Sequence, residues 1–382
     1  MLDSRDFRTP GQYLKALLEA NGWTQRVLAT IMAIDESSVA RLAQDRRAID
    51  AETSLILADI FGVPDEAFLE IQTEYDLAKA KIEARPDPLR SARAQIFGQL
   101  PVTEMIGRGW IYADDIRDMP KVEASLASFF GVDSINQIEI VPHAAKRTNV
   151  RGDVTAAQLA WLYRVRQIAE GIVVPKYSTK ALVAAIAKLR ELLASPDEAR
   201  KAPRILAEAG VRLVVVESLA GAKIDGVCFW LDERSPVIGL SMRFDRIDNF
   251  WFVLRHECEH VLRGHGRSIV ALDTELERDK AGTGSELEEQ ERVANEAAAD
   301  FCVPNKTLKQ FIARKAPIFT ERDILSFAKM VKVHPGLVAG QLQHATARYE
   351  RFRDHIAKIR DIVLPNVLHD GWGDVAPVEP SL

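Results

Sequence analysis

The sequence predicts a mostly α-helical protein with one short α+β segment in its C-terminal half. Three observations predict this. Residues 1–80 carry short apolar stripes at helical spacing, separated by caps and Gly stops. Residues 101–193 repeat that pattern in longer helices. Only 213–240 holds compact β-branched runs, and they lead into a long helix carrying His256-Glu257-Cys258-Glu259-His260. Three parts are expected: 1–82, a helix-turn-helix bundle; 83–200, a helical linker or dimerisation region; and 201–382, an α+β domain with a small sheet.

The bulk numbers narrow the function classes. At 382 residues the chain is long enough for two or three domains. The hydrophobic share of 47% supplies ordinary cores, and a net charge of −5 sets aside polyanion binding by bulk charge. Cys228, Cys258 and Cys302 lack framework spacing, so disulfides are not expected and a reducing cytosol fits. The start, MLDSRDFRTP, has no apolar signal region. No apolar run approaches the ~20 residues that span a bilayer. A cytoplasmic protein with no membrane partner is expected.

In the first part, Pro10-Gly11 opens a helix with Tyr13, Leu14, Leu17 and Leu18 on one face, and Asn21-Gly22 stops it. Thr24 caps a second helix over Gln25–Ile31. A turn at Met32–Asp35 leads to a third helix, Glu36–Ala43, with Val39 and Leu42 inward and Ser37, Ser38 and Arg41 outward. Helices over Ala51–Phe61 and Asp65–Lys81 follow. Two short helices across a tight turn are the helix-turn-helix pattern, whose second helix enters the major groove. Residues 1–80 hold 8 Lys/Arg against 14 Asp/Glu, a balance of −6. Since phosphate neutralisation dominates DNA affinity, a dimer that adds two arginine clusters is expected.

This stretch resembles the HigA-type antitoxins of the lambda-repressor-like (XRE) family. The matching residues are Pro10-Gly11-Gln12-Tyr13-Leu14, Thr24-Gln25 with Leu28-Ala29, Ser37-Ser38, Arg46-Arg47, and Phe68 to Leu77. Ala33 stands where that family usually has Gly near the turn. The resemblance implies that Thr24, Gln25, Ser37, Ser38 and Arg41 meet an operator or promoter, with Arg46 and Arg47 near phosphate. It also implies a cognate toxin as a partner.

In the middle part, Pro86 and Pro88 break the preceding helix. Helices are expected from Pro101, over Val122–Phe130, Gln158–Gly171 and Thr179–Leu193. No catalytic constellation stands out, and His143 has no partner nearby in sequence.

The last part begins with strands at Leu213–Val216, Val227–Leu231 and Pro236–Leu240, then a helix over Asp248–Gly264. Positions i and i+4 share a helix face, so His256 and His260 can present two imidazoles to one ion, with Glu257 beside it. A small sheet followed by H-E-x-x-H is the zincin order, and a sheet edge there can hold an extended peptide. A third ligand is needed, with water in the fourth place. His265 follows His260 by five residues and on a continued helix rotates away. Beyond a polar loop at Thr274–Ser285, Glu286, Glu288, Glu289, Glu291 and Glu296 are all available. Glu291 shares a face with Ala294, Asn295, Ala298 and Phe301, which favours it, because a ligand must point inward. His344 and Tyr349 are available for an oxyanion and are not placed by the sequence. A last helix is expected over Tyr349–Val363, and an unstructured end from Asp370.

Glu291 to Asn295 followed by Ala298 to Pro304 resembles the second motif of the ImmA/IrrE metallopeptidases (the M78 class), with Gly210–Val216, Gly226 and the His256 stretch fitting what precedes it. Cys258-Glu259 replaces a common Leu-Gly, and Ala297 a frequent Phe. The resemblance implies Zn2+ on His256, His260 and Glu291; Glu296-x-x-x-Asp300 is similar to a thermolysin-like ligand helix, which keeps Glu296 as the runner-up. It implies Glu257 as general base and Asn295 as the residue orienting a ligand from behind. The expected protein is a transcriptional regulator or antitoxin whose zinc endopeptidase part cuts a repressor-type regulatory protein. The alternative is a non-proteolytic regulator whose zincin part holds metal or a partner.

Overall fold

The computed structural model describes residues 3–84, 87, 89–138, 154–267, 271–274 and 285–378. The break at Pro86 and Pro88, His143 and the loop at 275–284 fall outside them. Two compact units emerge, Met1–Pro88 and Leu89–Leu382. Among the described residues, no helix is long and apolar enough to cross a membrane.

The first unit has helices α1 (Pro10–Ala20), α2 (Gln25–Ile31), α3 (Glu36–Ala43), α4 (Ala51–Phe61) and α5 (Ala67–Glu83). Thr9, Thr24, Asp35 and Asp50 cap the first four through their side chains, each worth about 1 kcal/mol. Tyr13, Leu14, Leu28, Val39, Leu42, Leu57 and Phe68 form the core. Pro10-Gly11 has a packing reason. A Cβ at Gly11 would lie 2.6 Å from the Ala43 carbonyl oxygen, so only Gly lets α1 approach the end of α3 this closely. Asp45 completes that joint by accepting from Gly11 N at 2.7 Å and Thr9 Oγ1 at 2.6 Å. The turn between α2 and α3 places Ala33 at φ 54°, the left-handed region that Gly would enter more easily.

The second unit opens with α6 (Arg90–Gln99), α7 (Val102–Gly107), α8 (Met119–Phe130), α9 (Ala156–Glu170), α10 (Thr179–Glu191) and α11 (Ala202–Glu208). Strands β1 (Arg212–Val216), β2 (Ile224–Trp230) and β3 (Pro236–Leu240) lead to α12 (Ile247–Arg263). Then come β4 (Ala271–Thr274), α13 (Ser285–Cys302), α14 (Asn305–Lys315), α15 (Glu321–Val331), α16 (Pro335–Thr346), α17 (Arg360–Val363) and β5 (Leu368–Asp370). The sheet runs β4-β2-β3-β1-β5. β1 is parallel to β3 and β5, and β2 is antiparallel to β3 and β4.

Alternation along the strands builds three layers. Val214, Val216, Val227, Phe229 and Val237 face Trp161, Val165 and Ile168 of α9. Leu213, Val215, Cys228, Ile238 and Leu240 face α12 through Trp251, Leu254 and Cys258. Gly239 lets α9 sit close, because a Cβ there would lie 2.8 Å from Val165. The Trp161 indole also donates to Val216 O at 2.9 Å. The helices of 89–170 therefore share a core with the sheet, and the boundary expected near 200 is no break in packing.

Two expectations for the C-terminal end are corrected. Instead of one helix over Tyr349–Val363, the chain makes a 3-10 turn at Arg353–His355 and a helix of only four residues, α17. The Asp245 carboxylate takes the N–H groups of Ile359 and Arg360 at 2.8 Å each, which gives that backbone partners outside a longer helix. The end from Asp370 is also ordered, through residue 378. Asp370 is fully buried and accepts from Arg164 Nη2 at 2.6 Å, Trp110 Nε1 at 2.5 Å and Ala376 N at 3.0 Å. This ion pair fastens β5 and the tail to α9. Asp370→Ala leaves the Arg164 guanidinium buried without its counter-charge, and should cost about 3–5 kcal/mol. Urea unfolding of the full chain measures this.

Candidate metal centre

α12 runs without Pro or Gly from Ile247 to Arg263, and the sheet covers one side of it. His256 and Glu257 are wholly buried, and His260 and Glu291 nearly so. Against α12 lies α13, which turns Glu291, Ala294, Ala298 and Phe301 inward. The two helices bring three ligand atoms together. His256 Nε2 and His260 Nε2 are 2.9 Å apart. Glu291 Oε2 is 3.3 Å from His256 Nε2, and Oε1 is 3.6 Å from His260 Nε2. Ligands on a tetrahedral zinc with bonds near 2.0–2.2 Å stand about 3.3–3.6 Å from one another. The two spacings to Glu291 lie in that range, and the two histidine nitrogens, at 2.9 Å, stand closer.

The donor chemistry fits as well. His256 Nδ1 lies 3.0 Å from Asn295 Oδ1. A carbonyl oxygen only accepts, so His256 Nδ1 carries a proton, and in the neutral ring Nε2 turns its lone pair toward the cluster. Glu291 Oε2 is buried and accepts no hydrogen bond among the described residues. A lone pair and a carboxylate oxygen meeting in a dry site call for a cation.

The other acids fall elsewhere. Glu296 is exposed and pairs with Arg292 at 2.5 Å, and Glu289 pairs with the same arginine at 2.7 Å. The side chains of Glu286 and Glu288 lie outside the described residues. His344 and Tyr349 are exposed, 3.4 Å apart, and neither joins the ligand group. Cys258 is fully buried, and burial pushes its thiol up to about 12, so it is a core residue and not a nucleophile. Glu259 is clamped by Arg255 and Arg263, each at 2.8 Å. That clamp explains how a carboxylate can stand on a nearly buried position of the helix.

Two features escape a reading of the sequence. Gly226 of β2 faces Glu257, and a Cβ there would meet Glu257 Oε1 at 2.2 Å and Val253 Cγ1 at 2.8 Å. The missing side chain is the space in which the Glu257 carboxylate lies. The second is His265, which returns to His260 with the two Nδ1 atoms 2.9 Å apart. Burial, and then Arg263, hold the His265 pKa below its ordinary value. The available signal was Gly264, a helix terminator that also reverses the chain.

In the first unit Thr24, Ser37, Arg41, Arg46 and Arg47 are exposed and Gln25 is half-buried. Ser38, expected to point outward, is buried. Its hydroxyl donates to Asp35 at 2.6 Å and accepts from Arg41 Nη2 at 3.1 Å. Ser37 also donates to Asp35. These hydroxyls, Ser37 first, hold the Asp35 carboxyl well below the usual carboxylate range. The helix cap thus takes Ser38 away from the surface.

Gly226→Ala should displace the Glu257 carboxylate and cost about 1–3 kcal/mol, the range of an overpacked core. Denaturant unfolding and a crystal structure of the variant check both parts. An unmoved Glu257 at unchanged stability would contradict the close contact.

Comparison with known families assigns both regions. Residues 14–68 match the helix-turn-helix family, and residues 208–339 match the M78 peptidase family described as an IrrE N-terminal-like domain. No curated protein matches the chain. The second match spans β1, β2, β3, α12 and α13, and so the whole ligand cluster. The chain thus joins an XRE-type helix-turn-helix DNA-binding domain to an M78 peptidase-like domain.

Proposed function

We propose that residues 201–382 are a zinc-dependent endopeptidase that cuts a regulatory protein, and that residues 1–82 direct this activity to gene control by binding an operator. The observation that carries the reading is the buried triangle of His256 Nε2, His260 Nε2 and Glu291 with Glu257 beside it. His256, His260 and Glu291 would hold a zinc ion, which would supply Lewis-acid polarisation of the scissile carbonyl and of the attacking water. Glu257 takes the proton of the attacking water on its carboxylate and returns it to the leaving amine. Asn295 keeps the His256 imidazole in the tautomer that presents Nε2. β4 ends the sheet order next to β2 and supports a polypeptide substrate, because a sheet edge binds extended main chain. The HigA-like features of the first unit make a repressor or antitoxin the natural class of target.

Glu257→Gln tests the chemistry. Zinc content, read by mass spectrometry, should stay near that of the wild type. New N-termini in a transcriptional regulator should appear in cells expressing the wild type and not the variant. Equal cleavage by both would remove the peptidase reading and leave a metal-holding regulator.

Arg41→Ala combined with Arg46→Ala tests the DNA module. Each exposed arginine lost from a DNA face costs on the order of 1 kcal/mol or more, so affinity for the protein's own promoter should fall at least tenfold. A gel-shift series at low salt measures this. Failure of the wild type to bind under those conditions would end the idea.

A further inference from the structure

We propose that His265 is a positioning residue for the metal centre, holding His260 in the tautomer that presents Nε2, as Asn295 does for His256. The inference rests on the metal reading above.

The backbone brings His265 to its place. Gly264 ends α12 in the left-handed conformation at φ 71°. Its N–H bonds to Val261 O at 3.1 Å, and the His265 N–H bonds to His260 O at 2.9 Å. This pair of bonds is the Schellman motif, which folds the second residue past the helix back over its last turn. A histidine five residues after His260 would rotate away on a continuing helix. Behind this glycine it returns to His260 instead.

The sheet then fixes the returned segment. The His265 carbonyl accepts from Trp230 Nε1 at 2.8 Å. Gly266, at φ 77°, lies so close to β2 that a Cβ would fall 2.4 Å from Cys228 O. Arg267 stacks over the Trp230 ring at 4.1 Å. These anchors fix the backbone that carries the His265 imidazole.

His265 Nδ1 meets His260 on its Nδ1 side, across the ring from Nε2 and the ligand triangle. It is absent from the ligand group and is placed to act on His260 from behind. If His260 Nδ1 donates to His265 Nδ1, His260 Nε2 is left with its lone pair toward Glu291 and His256. His265 then carries its own proton on Nε2. Each metal-facing imidazole would so have its own acceptor, a carbonyl oxygen for one and a ring nitrogen for the other.

The test measures zinc affinity of the full chain by chelator competition, with the absorption spectrum of the cobalt-substituted protein as a second readout. His265→Ala should weaken zinc binding about 10–100-fold, the usual loss when such a supporting residue is removed. His265→Asn places Oδ1 where Nδ1 stood, and should recover most of the affinity and the wild-type cobalt spectrum. Zinc affinity in His265→Ala within twofold of the wild type overturns the proposal, and so does an Asn variant no better than Ala. A wild type that binds no zinc removes the metal reading as well, so the two failures are distinct. Imidazole 15N shifts of the zinc-loaded wild type need no variant to fold. They should show His265 protonated at Nε2 only, and protonation at Nδ1 overturns the proposal.

Discussion

His256 Nε2, His260 Nε2 and the Glu291 carboxylate meet inside the protein, where the solvent cannot reconcile them. Burying one unpaired ion costs several kcal/mol, and here a carboxyl group is buried against two imidazoles. The fold forces the meeting. α12 cannot turn its histidines outward, because its other face carries Trp251, Leu254, Cys258 and Val261 into the core. α13 cannot turn Glu291 outward either, because Ala294, Ala298 and Phe301 lie on the same side. Packing, which is large and non-directional, thus holds the three groups at a spacing that, on the proposed reading, a cation completes. On the proposed reading, metal binding and stability are coupled for this reason.

The same logic sets what surrounds the site. Glu257 is buried against β2 only because position 226 has no side chain, so the sheet shapes the space around the proposed base. The sheet in turn is steadied from its far end. Asp370 and Arg164 form an ion pair with almost no solvent contact, and Trp110 and Ala376 complete the carboxylate's hydrogen bonds. A buried pair of this kind adds little net stability over apolar packing, but it admits one arrangement only. It fixes β5 beside β1, and β1 beside β3, in the sheet that backs α12. Helices far from the ligands thereby belong to the same mechanical unit as the ligands.

What could be read from the residues follows from distance along the chain. α2, α3, α4 and β3 come out at their predicted limits, because caps, Gly stops and apolar period are local signals. Helical period also put the two histidines on one face and favoured Glu291 over Glu296 as the inward acid. The rest needed partners that only the fold supplies. Asp370 reads as the start of an unstructured end because Arg164 is 206 positions away. Ser38 read as exposed by period, yet the Asp35 cap turns its hydroxyl inward. Asp245 draws the backbone of Ile359 and Arg360 out of the helix expected there. Gly264 and His265 were both visible, but their joint effect depends on the three-dimensional form of the helix end.

The acidic balance of the first unit shapes how it can read DNA. With 8 basic residues against 14 acidic in 1–80, one copy gains little from the general attraction to phosphate that lets basic domains bind any sequence. Asp35 stands at the start of α3, and Ser37 and Ser38 occupy its oxygens without removing its charge. On the proposed reading, affinity must therefore come from a few well-placed groups, chiefly Arg41, Arg46 and Arg47, and from doubling them in a dimer. A domain built this way discriminates well because its background binding is weak. On the same reading, losing one copy would remove half of the few favourable contacts and release the DNA. That is a suitable property for a DNA-binding module joined to a peptidase-like domain in one chain.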